Sequence, residues 1–449
     1  MTQITIITIV EVDLEVERDK IMSSRGKIVS FLILLEVCCL AIIGLLLAEP
    51  AIGMPDGQMN DDNQGPTNGL QDTDIKIRIA LTRDISFGQG NQSKAPDVSY
   101  FAEIGVGSPA KVFRFAIDTS VSEIWLPRYN WFPFAKNLHY SKGYTRSSSG
   151  SSLTERIKLE HRKTILSGEA HLDVFTLDGM LGNGNGSNQV WYLQRFLAVD
   201  SASDEQFRWK PYDGVIGLAP RPVPSLIMAW KSFFLSSTDE RDQYPISVRC
   251  RQTDLCELPN KALYSLWINP DQESSNGGEL MLGSIDENRF AGQIFYHQSE
   301  SDTDWSLKLT EVLVGAEVVS SGQNLTIRVD TGSNMILGPS EDVAKIYARL
   351  EANVMAVTIH RHHSEVMAVN CDNLDELPDL MFIINSSHYY MNPRQYTRKF
   401  HHLGTQVCQL MIEAGDSSNW LLGTSFLGAH YSVFDLKDMR VGFAKARAL

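Results

Sequence analysis

The chain has 449 residues with 54 acidic and 40 basic side chains, so its formal net charge is −14 at neutral pH. Apolar residues make up 43% and charged residues 21%, values that exclude collagen-like, mucin-like and wholly disordered chains. The negative charge argues against sequence-independent binding of nucleic acid, because phosphates would be repelled. The length predicts two or three core-forming units.

The N-terminus carries a segment typical of entry into the secretory pathway. A tail, 1–27, contains Arg25 and Lys27 near its end, and a mainly apolar stretch follows over 28–48. This stretch is long enough to span a bilayer as a signal-anchor, but Glu36 near its middle would cost about 3 kcal/mol there. A cleaved signal peptide is therefore favoured, with membrane attachment only if 28–48 is retained. The expected destination is extracellular or lysosomal.

The segment 49–97 is predicted to be a linker that ends in a strand. Pro, Gly, Asn, Asp and Gln dominate its first half, a composition typical of disordered linkers. Apolar and polar residues then alternate over 75–86, which predicts a short strand. The polar face of this strand is basic, because it carries Lys76, Arg78 and Arg83.

Cysteines and glycosylation motifs fit the oxidising lumen of the secretory pathway. Two cysteines lie in the apolar segment, which leaves Cys250, Cys256, Cys371 and Cys408 to pair. Four cysteines allow three pairings. Closure of short loops favours one bond between Cys250 and Cys256 and another between Cys371 and Cys408. The spacing alone does not decide among the three pairings. Motifs for N-glycosylation begin at Asn91, Asn185, Asn324 and Asn385.

An internal repeat with an offset of 212 residues organises the rest of the chain. Segments 115–127 and 327–339 both carry Asp-Thr directly after an apolar strand, and each half later repeats an apolar-apolar-Gly motif. One Asp-Thr is a weak signal, whereas two in register with two glycine motifs form a strong one. The corresponding residues are Asp118 and Asp330, Thr119 and Thr331, and Gly217 and Gly423.

Such a duplication predicts two similar β lobes, over 98–269 and 270–449, with one aspartate from each meeting at the cleft between them. Short runs of alternating apolar and polar residues, separated by Gly, Asn, Asp and Ser, favour strands throughout. The best helix is predicted over 340–350, with Ser340 as its cap.

At these motifs the chain resembles the pepsin-like aspartic peptidase family, over about 98–446. The resemblance implies an all-β, bilobed fold with two duplicated lobes around a central cleft. It implies a monomeric aspartic endopeptidase that cleaves an extended peptide or protein substrate at acidic pH, without a metal or another cofactor. It also implies a disulfide between Cys371 and Cys408, and a propeptide near Arg78 that shields the carboxylates in a zymogen.

The same resemblance assigns Asp118 and Asp330 as the catalytic pair. Two carboxylates held together share a proton, so the ionised one accepts a proton from water and the protonated one polarises the scissile carbonyl. The supporting residues are Thr119, Ser120, Thr331, Gly332 and Ser333. The resemblance places His161 on the hairpin that covers the substrate and Trp125 as the usual partner of the family's tyrosine, so we expect His161 to reach Trp125 or the substrate.

Three positions depart from the family pattern. Ser120 replaces a glycine, and Val121 replaces a hydroxyl residue that donates to the first aspartate, whereas Ser333 keeps this donor for the second. The two carboxylates should therefore be less alike than usual. In the covering hairpin, His161 and Arg162 stand where the family has tyrosine and glycine, which makes the hairpin bulkier and more basic.

These departures keep a second function open, that of a catalytically weak or inactive relative that binds extended peptides in the same cleft. A zinc site is not predicted, although His360, His362 and His363 cluster and His401 precedes another histidine. The chain lacks a His-Glu-x-x-His motif, and a solvated loop explains such spacings better.

Overall fold

A computed structural model of the chain describes residues 77–86, 97–129, 143–180, 187–204, 207, 210–220, 263–351, 356–361, 364–402 and 405–448. The predicted tail, signal segment and linker lie outside these residues, as do Asn91, Asn185, Cys250 and Cys256. Within the described ranges, no helix combines the length and apolar character needed to cross a membrane.

Strands make up most of the described residues of the first half, in agreement with its alternating pattern. Their bounds are β1 (Ile77–Ser86), β2 (Asp97–Val106), β3 (Lys111–Asp118), β4 (Trp125–Pro127), β5 (Ser151–His161), β6 (Thr164–Met180), β7 (Ser187–Ala202) and β8 (Gly214–Gly217).

The second half is also mainly β. Its strands are β9 (Leu263–Ile268), β10 (Asn276–Leu282), β11 (Phe290–Gln298), β12 (Ser306–Val314), β13 (Glu317–Ser321), β14 (Thr326–Val329), β15 (Ile336–Gly338), β16 (Ala356–Arg361), β17 (Ser364–Asn370), β18 (Leu380–Ile384), β19 (Ser387–Met391), β20 (Thr397–His402), β21 (Thr405–Leu410), β22 (Ile412–Ala414), β23 (Trp420–Leu422), β24 (His430–Asp435) and β25 (Arg440–Ala446).

The predicted helix is present as α1 (Ser340–Glu351), which buries Val343, Ile346 and Leu350 on one face. A shorter helix, α2 (Thr424–Ala429), follows the second glycine motif. Single 3₁₀ turns occupy Glu287–Arg289 and Cys371–Glu376.

One sheet runs through both halves of the described chain, in the order β11-β25-β24-β9-β10-β1-β2-β3-β8-β4-β7-β6-β5. A second sheet has the order β19-β18-β12-β14-β23-β15-β22, with β13 paired to β12, and a third has the order β16-β17-β21-β20. Four tryptophans are among the largest fully buried side chains: Trp125, Trp267, Trp305 and Trp420. Burial of such large rings supplies much of the apolar surface that stabilises the fold.

The same strand pairing occurs in both halves, as the internal repeat predicts. β3 runs parallel to β8, with Asp118 opposite Gly217, and β14 runs parallel to β23. β4 then lies parallel to β7, and β15 lies parallel to β22. Each Asp-Thr loop therefore leaves its strand beside the glycine-bearing strand of its own half.

The predicted basic strand is β1, and it lies in the interior of the large sheet between β10 and β2. Arg78 pairs with Glu279 and Asp286. Arg83 was expected on the exposed face, but it is buried, with 6% of its surface accessible. Arg83 lies two residues after Leu81, so uninterrupted alternation places it on the same buried face as Ile79 and Leu81. There its guanidinium donates to main-chain carbonyls of the loop 269–274.

The disulfide between Cys371 and Cys408 is confirmed, with the two Cα atoms 5.1 Å apart. It joins a 3₁₀ turn to β21 in the second half. Asn324 is exposed, and Asn385 lies half-buried in the turn between β18 and β19 with a φ of 49°. Glycosylation of either asparagine stays a prediction.

Candidate active site

The two repeated aspartates lie at corresponding places, Asp118 at the end of β3 and Asp330 directly after β14. Only 2% of the surface of each residue is exposed. The loops touch, because a Cβ added to Gly332 would lie 2.2 Å from Oδ2 of Asp118. The repeat has therefore brought two buried carboxylates to one place. Without partners, burial would favour the protonated, uncharged form of each carboxyl group.

Reciprocal hydrogen bonds between the threonines tie the two loops together. The Thr119 amide donates to Oγ1 of Thr331 over 3.0 Å, and the Thr331 amide donates to Oγ1 of Thr119 over 3.0 Å. Each hydroxyl then donates to a main-chain carbonyl of the opposite half, at Val329 and Ile117 respectively. Because every donor and acceptor in this buried network is satisfied, the relative position of the aspartates is closely fixed.

The glycines of the second motif allow the aspartate loops to approach their neighbouring strands. A Cβ on Gly217 would lie 2.5 Å from the Val121 carbonyl oxygen, and one on Gly423 would lie 2.3 Å from the carbonyl oxygen of Met335. Main-chain atoms form these contacts, so no side-chain rotation relieves them. The glycines of the repeat thus support the position of the aspartates.

Gly423→Ala should therefore destabilise the protein by about 1–3 kcal/mol, as overpacking usually does. Urea unfolding followed by tryptophan fluorescence measures the loss. The matched control is Gly428→Ala, since a Cβ there would meet only Ile268, at an ordinary distance of 3.7 Å. Equal unfolding midpoints for the two variants would contradict this account.

The hydrogen bonds of the aspartates differ from the sequence-based expectation. Ser120 donates its amide over 2.8 Å and its hydroxyl over 2.6 Å to Oδ1 of Asp118. Ser333 donates its hydroxyl to the Met335 carbonyl, so the prediction that it donates to Asp330 is wrong. The side-chain donor belongs to the first carboxylate, because Ser120 supplies a hydroxyl where the family pattern has glycine.

His161 ends β5 and reaches both Trp125 and the first aspartate. The Trp125 indole donates to Nδ1 of His161 over 3.2 Å, and Nε2 of His161 lies 2.9 Å from Oδ2 of Asp118. An indole can only donate, so Nδ1 accepts and the proton sits on Nε2, which donates to Asp118. Phe207 stacks on the imidazole at 4.9 Å and holds its plane.

Arg162, at the tip of the β5–β6 hairpin, bridges the two carboxylates. Its Nη2 donates to Oδ1 of Asp330 over 2.8 Å, and its Nε donates to Oδ2 of Asp118 over 3.3 Å. Both aspartate side chains are 3% exposed, whereas the Arg162 side chain is 26% exposed. The guanidinium therefore covers the pair from the solvent side and occupies the space between the two carboxylates.

The backbone of this hairpin tip shows why its conformation needs support. His161 pairs with Thr164, so Arg162 and Lys163 form a two-residue turn with φ angles of 52° and 69°. Such turns favour glycine and asparagine, and a residue with Cβ pays about 1–2 kcal/mol in this region. The contacts of Arg162 with the carboxylates offset this strain.

These contacts alter the titration of the site. Burial alone would raise the pKa of Asp118, but the Arg162 guanidinium, His161 and the Ser120 hydroxyl together hold that pKa well below its usual range. Burial would lower the pKa of Arg162, and the two carboxylates raise it above its usual value. The closed site is therefore an ion pair with Asp118 ionised.

A cavity of about 270 Å³ opens beside the pair. Its walls include Val121, Leu337 and Leu421, and its charged lining includes Arg162 and Arg328. The Arg328 Nη2 lies 3.5 Å from Oδ2 of Asp330, at the limit of a hydrogen bond. Sequence reasoning missed Arg328, and it described Arg162 as making the hairpin bulkier and more basic without predicting its contacts with the carboxylates. The two basic residues at the hairpin tip were the available signal.

Fold and site together define a two-lobed aspartic peptidase architecture, and comparison with known proteins gives the same class. The sequence profile described as eukaryotic aspartyl protease matches residues 99–446. The chain therefore belongs to the eukaryotic aspartyl protease family, and the predicted all-β, bilobed pepsin-like fold is confirmed.

Individual relatives cover most of the chain. Cathepsin E-A of Xenopus laevis is 30% identical over 353 residues, which is 78% of this chain and 79% of the relative. Gastricsin of Suncus murinus is 27% identical, over 78% of this chain and 82% of the relative. Cathepsin D of Bos taurus is 25% identical, over 79% and 86% respectively.

Proposed function

We propose that this protein is an aspartic endopeptidase in which Asp118 and Asp330 activate a water molecule for peptide hydrolysis. The observation that carries the proposal is the pair of buried carboxylates on loops joined by the reciprocal bonds of Thr119 and Thr331. An ionised carboxylate accepts a proton from the attacking water, and a protonated one donates to the scissile carbonyl. Neither step requires a covalent intermediate.

The hydrogen bonds favour different roles for the two carboxylates. Asp118 accepts from the Ser120 amide, the Ser120 hydroxyl and His161, and each of these donors stabilises the ionised form. Asp330 accepts from the Gly332 amide and has no hydroxyl donor among the described residues. We therefore assign Asp118 as the base and Asp330 as the acid of the open enzyme.

The hairpin must move before chemistry begins. Arg162 occupies the space where water and the scissile carbonyl would bind, and it keeps solvent from both carboxylates. Lifting the β5–β6 hairpin removes the guanidinium and leaves two carboxylates that cannot both stay ionised at close range. The resting protein is thus a latent peptidase whose own hairpin covers the pair.

The second candidate function is peptide binding without cleavage, and Arg162 is the observation that favours it. A guanidinium hydrogen-bonded to both carboxylates takes the place of the shared proton on which hydrolysis depends. In this case, an extended peptide would enter the same cleft but meet a site without a general acid. The presence of both aspartates and both threonines of the repeated Asp-Thr motif favours the peptidase over this alternative.

The deciding experiment is a cleavage assay of the purified full-length chain on an unfolded protein between about pH 3 and 6. It is run with and without an inhibitor that mimics the tetrahedral intermediate, which should bind tightly to a working pair. We expect cleavage that the inhibitor blocks. Peptide binding without cleavage over this whole range would favour the second function.

We also propose a secretory destination and a propeptide within 49–97, as the sequence suggests. Among the described residues, β1 makes no hydrogen bond or ion pair with Asp118 or Asp330. The cation that bridges the two carboxylates is instead Arg162, which lies outside 49–97.

A further inference from the structure

We propose that Arg162 and Arg328 recognise an acidic side chain of the substrate beside the scissile bond. This inference rests on the proposed function, and it names the substrate class of the same site. Both arginines line the cavity next to Asp330, one on the hairpin and one on β14, so they approach a bound peptide from two sides.

Arg162 loses two anionic partners when the hairpin lifts. In the closed site its guanidinium makes charge-assisted hydrogen bonds with Asp118 and Asp330. When the hairpin lifts, these bonds break, and the Arg162 side chain lies above the bound peptide. A carboxylate on the peptide restores the lost pairing, so acidic substrates open the site at lower cost than neutral ones.

Arg328 lines the same cavity and has an unused donor. Its Nε is buried and has no acceptor in the described part of the chain. Its Nη2 is 3.5 Å from Asp330, which is longer than the 2.8 Å bond from Arg162. A planar guanidinium with free donors matches a carboxylate in fork geometry, so Arg328 is suited to bind an acidic side chain.

The other groups around the cavity define its preference further. Glu160 also lines it but is exposed, and His161 is directed to Asp118. Tyr212 also interacts with Arg162. The walls of Val121, Leu337 and Leu421 are apolar. The site therefore fits a peptide with an acidic side chain next to apolar ones.

The test compares paired peptides that differ only by Glu or Gln at each of the two positions on either side of the cleaved bond. For the full-length chain near pH 5.5, kcat/KM should favour Glu by roughly tenfold to a hundredfold at one position. The ratio of kcat/KM for the Glu peptide to that for the Gln peptide should fall toward one below about pH 4, where glutamate is protonated. Arg162→Gln should abolish the preference by improving the Gln peptide, and Arg328→Gln by weakening the Glu peptide.

Arg162→Lys should keep part of the preference, because it retains the charge without the fork. The matched control is Lys163→Gln, which removes an 82% exposed cation from the same turn and should keep the preference intact. Equal cleavage of both peptides by the unaltered chain, or an unchanged ratio in both arginine variants, would overturn the inference. If no peptide is cut, the proposed function fails, while the ratio of binding constants for the Glu and Gln peptides still tests the arginine pair.

Discussion

Asp330→Asn lowers kcat/KM by about 10³-fold or more in the expected result, because the asparagine amide cannot release a proton to the scissile carbonyl. The asparagine has nearly the same shape as the aspartate, so the reciprocal threonine bonds below it should persist. The measurement is cleavage of an unfolded protein and of a single peptide at several pH values. Asp118→Asn should have an effect of similar size, because it removes the proposed base.

Two comparisons separate this chemical effect from a folding defect. The control variant is Asp375→Asn, which alters a carboxylate whose side chain is 82% exposed and paired with Arg394. It should cleave like the unaltered chain. Asp330→Asn should still fold and bind peptide, and its urea midpoint should fall only by the loss of the ion pair with Arg162. Residual cleavage within tenfold of normal would show that Asp330 is not the acid.

Arg162→Gln should have the opposite effect on activity and increase kcat/KM for neutral peptides by about tenfold or more. Opening the unaltered site breaks charge-assisted hydrogen bonds worth about 1.5–3 kcal/mol each, and the variant removes this cost. The strain of the turn adds to the effect. Without the contacts between residue 162 and the carboxylates, nothing offsets this strain, so the closed position of the hairpin tip is less stable. Steady-state kinetics on a peptide without acidic residues measures the change.

The pH profile gives this prediction a second readout. Arg162 lowers the pKa of Asp118, so its removal raises that pKa. The acid limb of kcat/KM, which reports ionisation of the base in the free enzyme, should therefore move to higher pH. Lys163→Gln should leave both the rate and the limb in place. A slower Arg162→Gln enzyme with an unmoved limb would show that the guanidinium assists catalysis.

The sequence alone predicted the relation between the two halves well. The offset of Asp118 and Asp330 predicted that two loops occupy equivalent places, because duplicated segments keep their strand pairing. Gly217 and Gly423 extended the match to neighbouring strands. These features depend on main-chain geometry, which short motifs encode directly.

Side-chain directions were predicted less well. Ser120 and Ser333 are both close to an aspartate in sequence, but only the structure shows that the first hydroxyl turns to its carboxylate and the second to the Met335 carbonyl. Arg162 meets Asp330 across 168 residues, a distance over which no local pattern operates. Arg83 was misplaced because its charge was taken to indicate the exposed face, whereas its spacing of two residues from Leu81 puts it on the buried one.

The place of β1 determines what a cut between β1 and β2 would produce. Ten residues, 87–96, connect β1 to β2 in the sequence, while β1 itself is hydrogen-bonded along both edges, to β10 and to β2. Proteolysis of that connection would not expel the strand, because Ile77, Ile79 and Leu81 remain buried. The product would be a nicked molecule of two polypeptides that separate only under denaturing conditions.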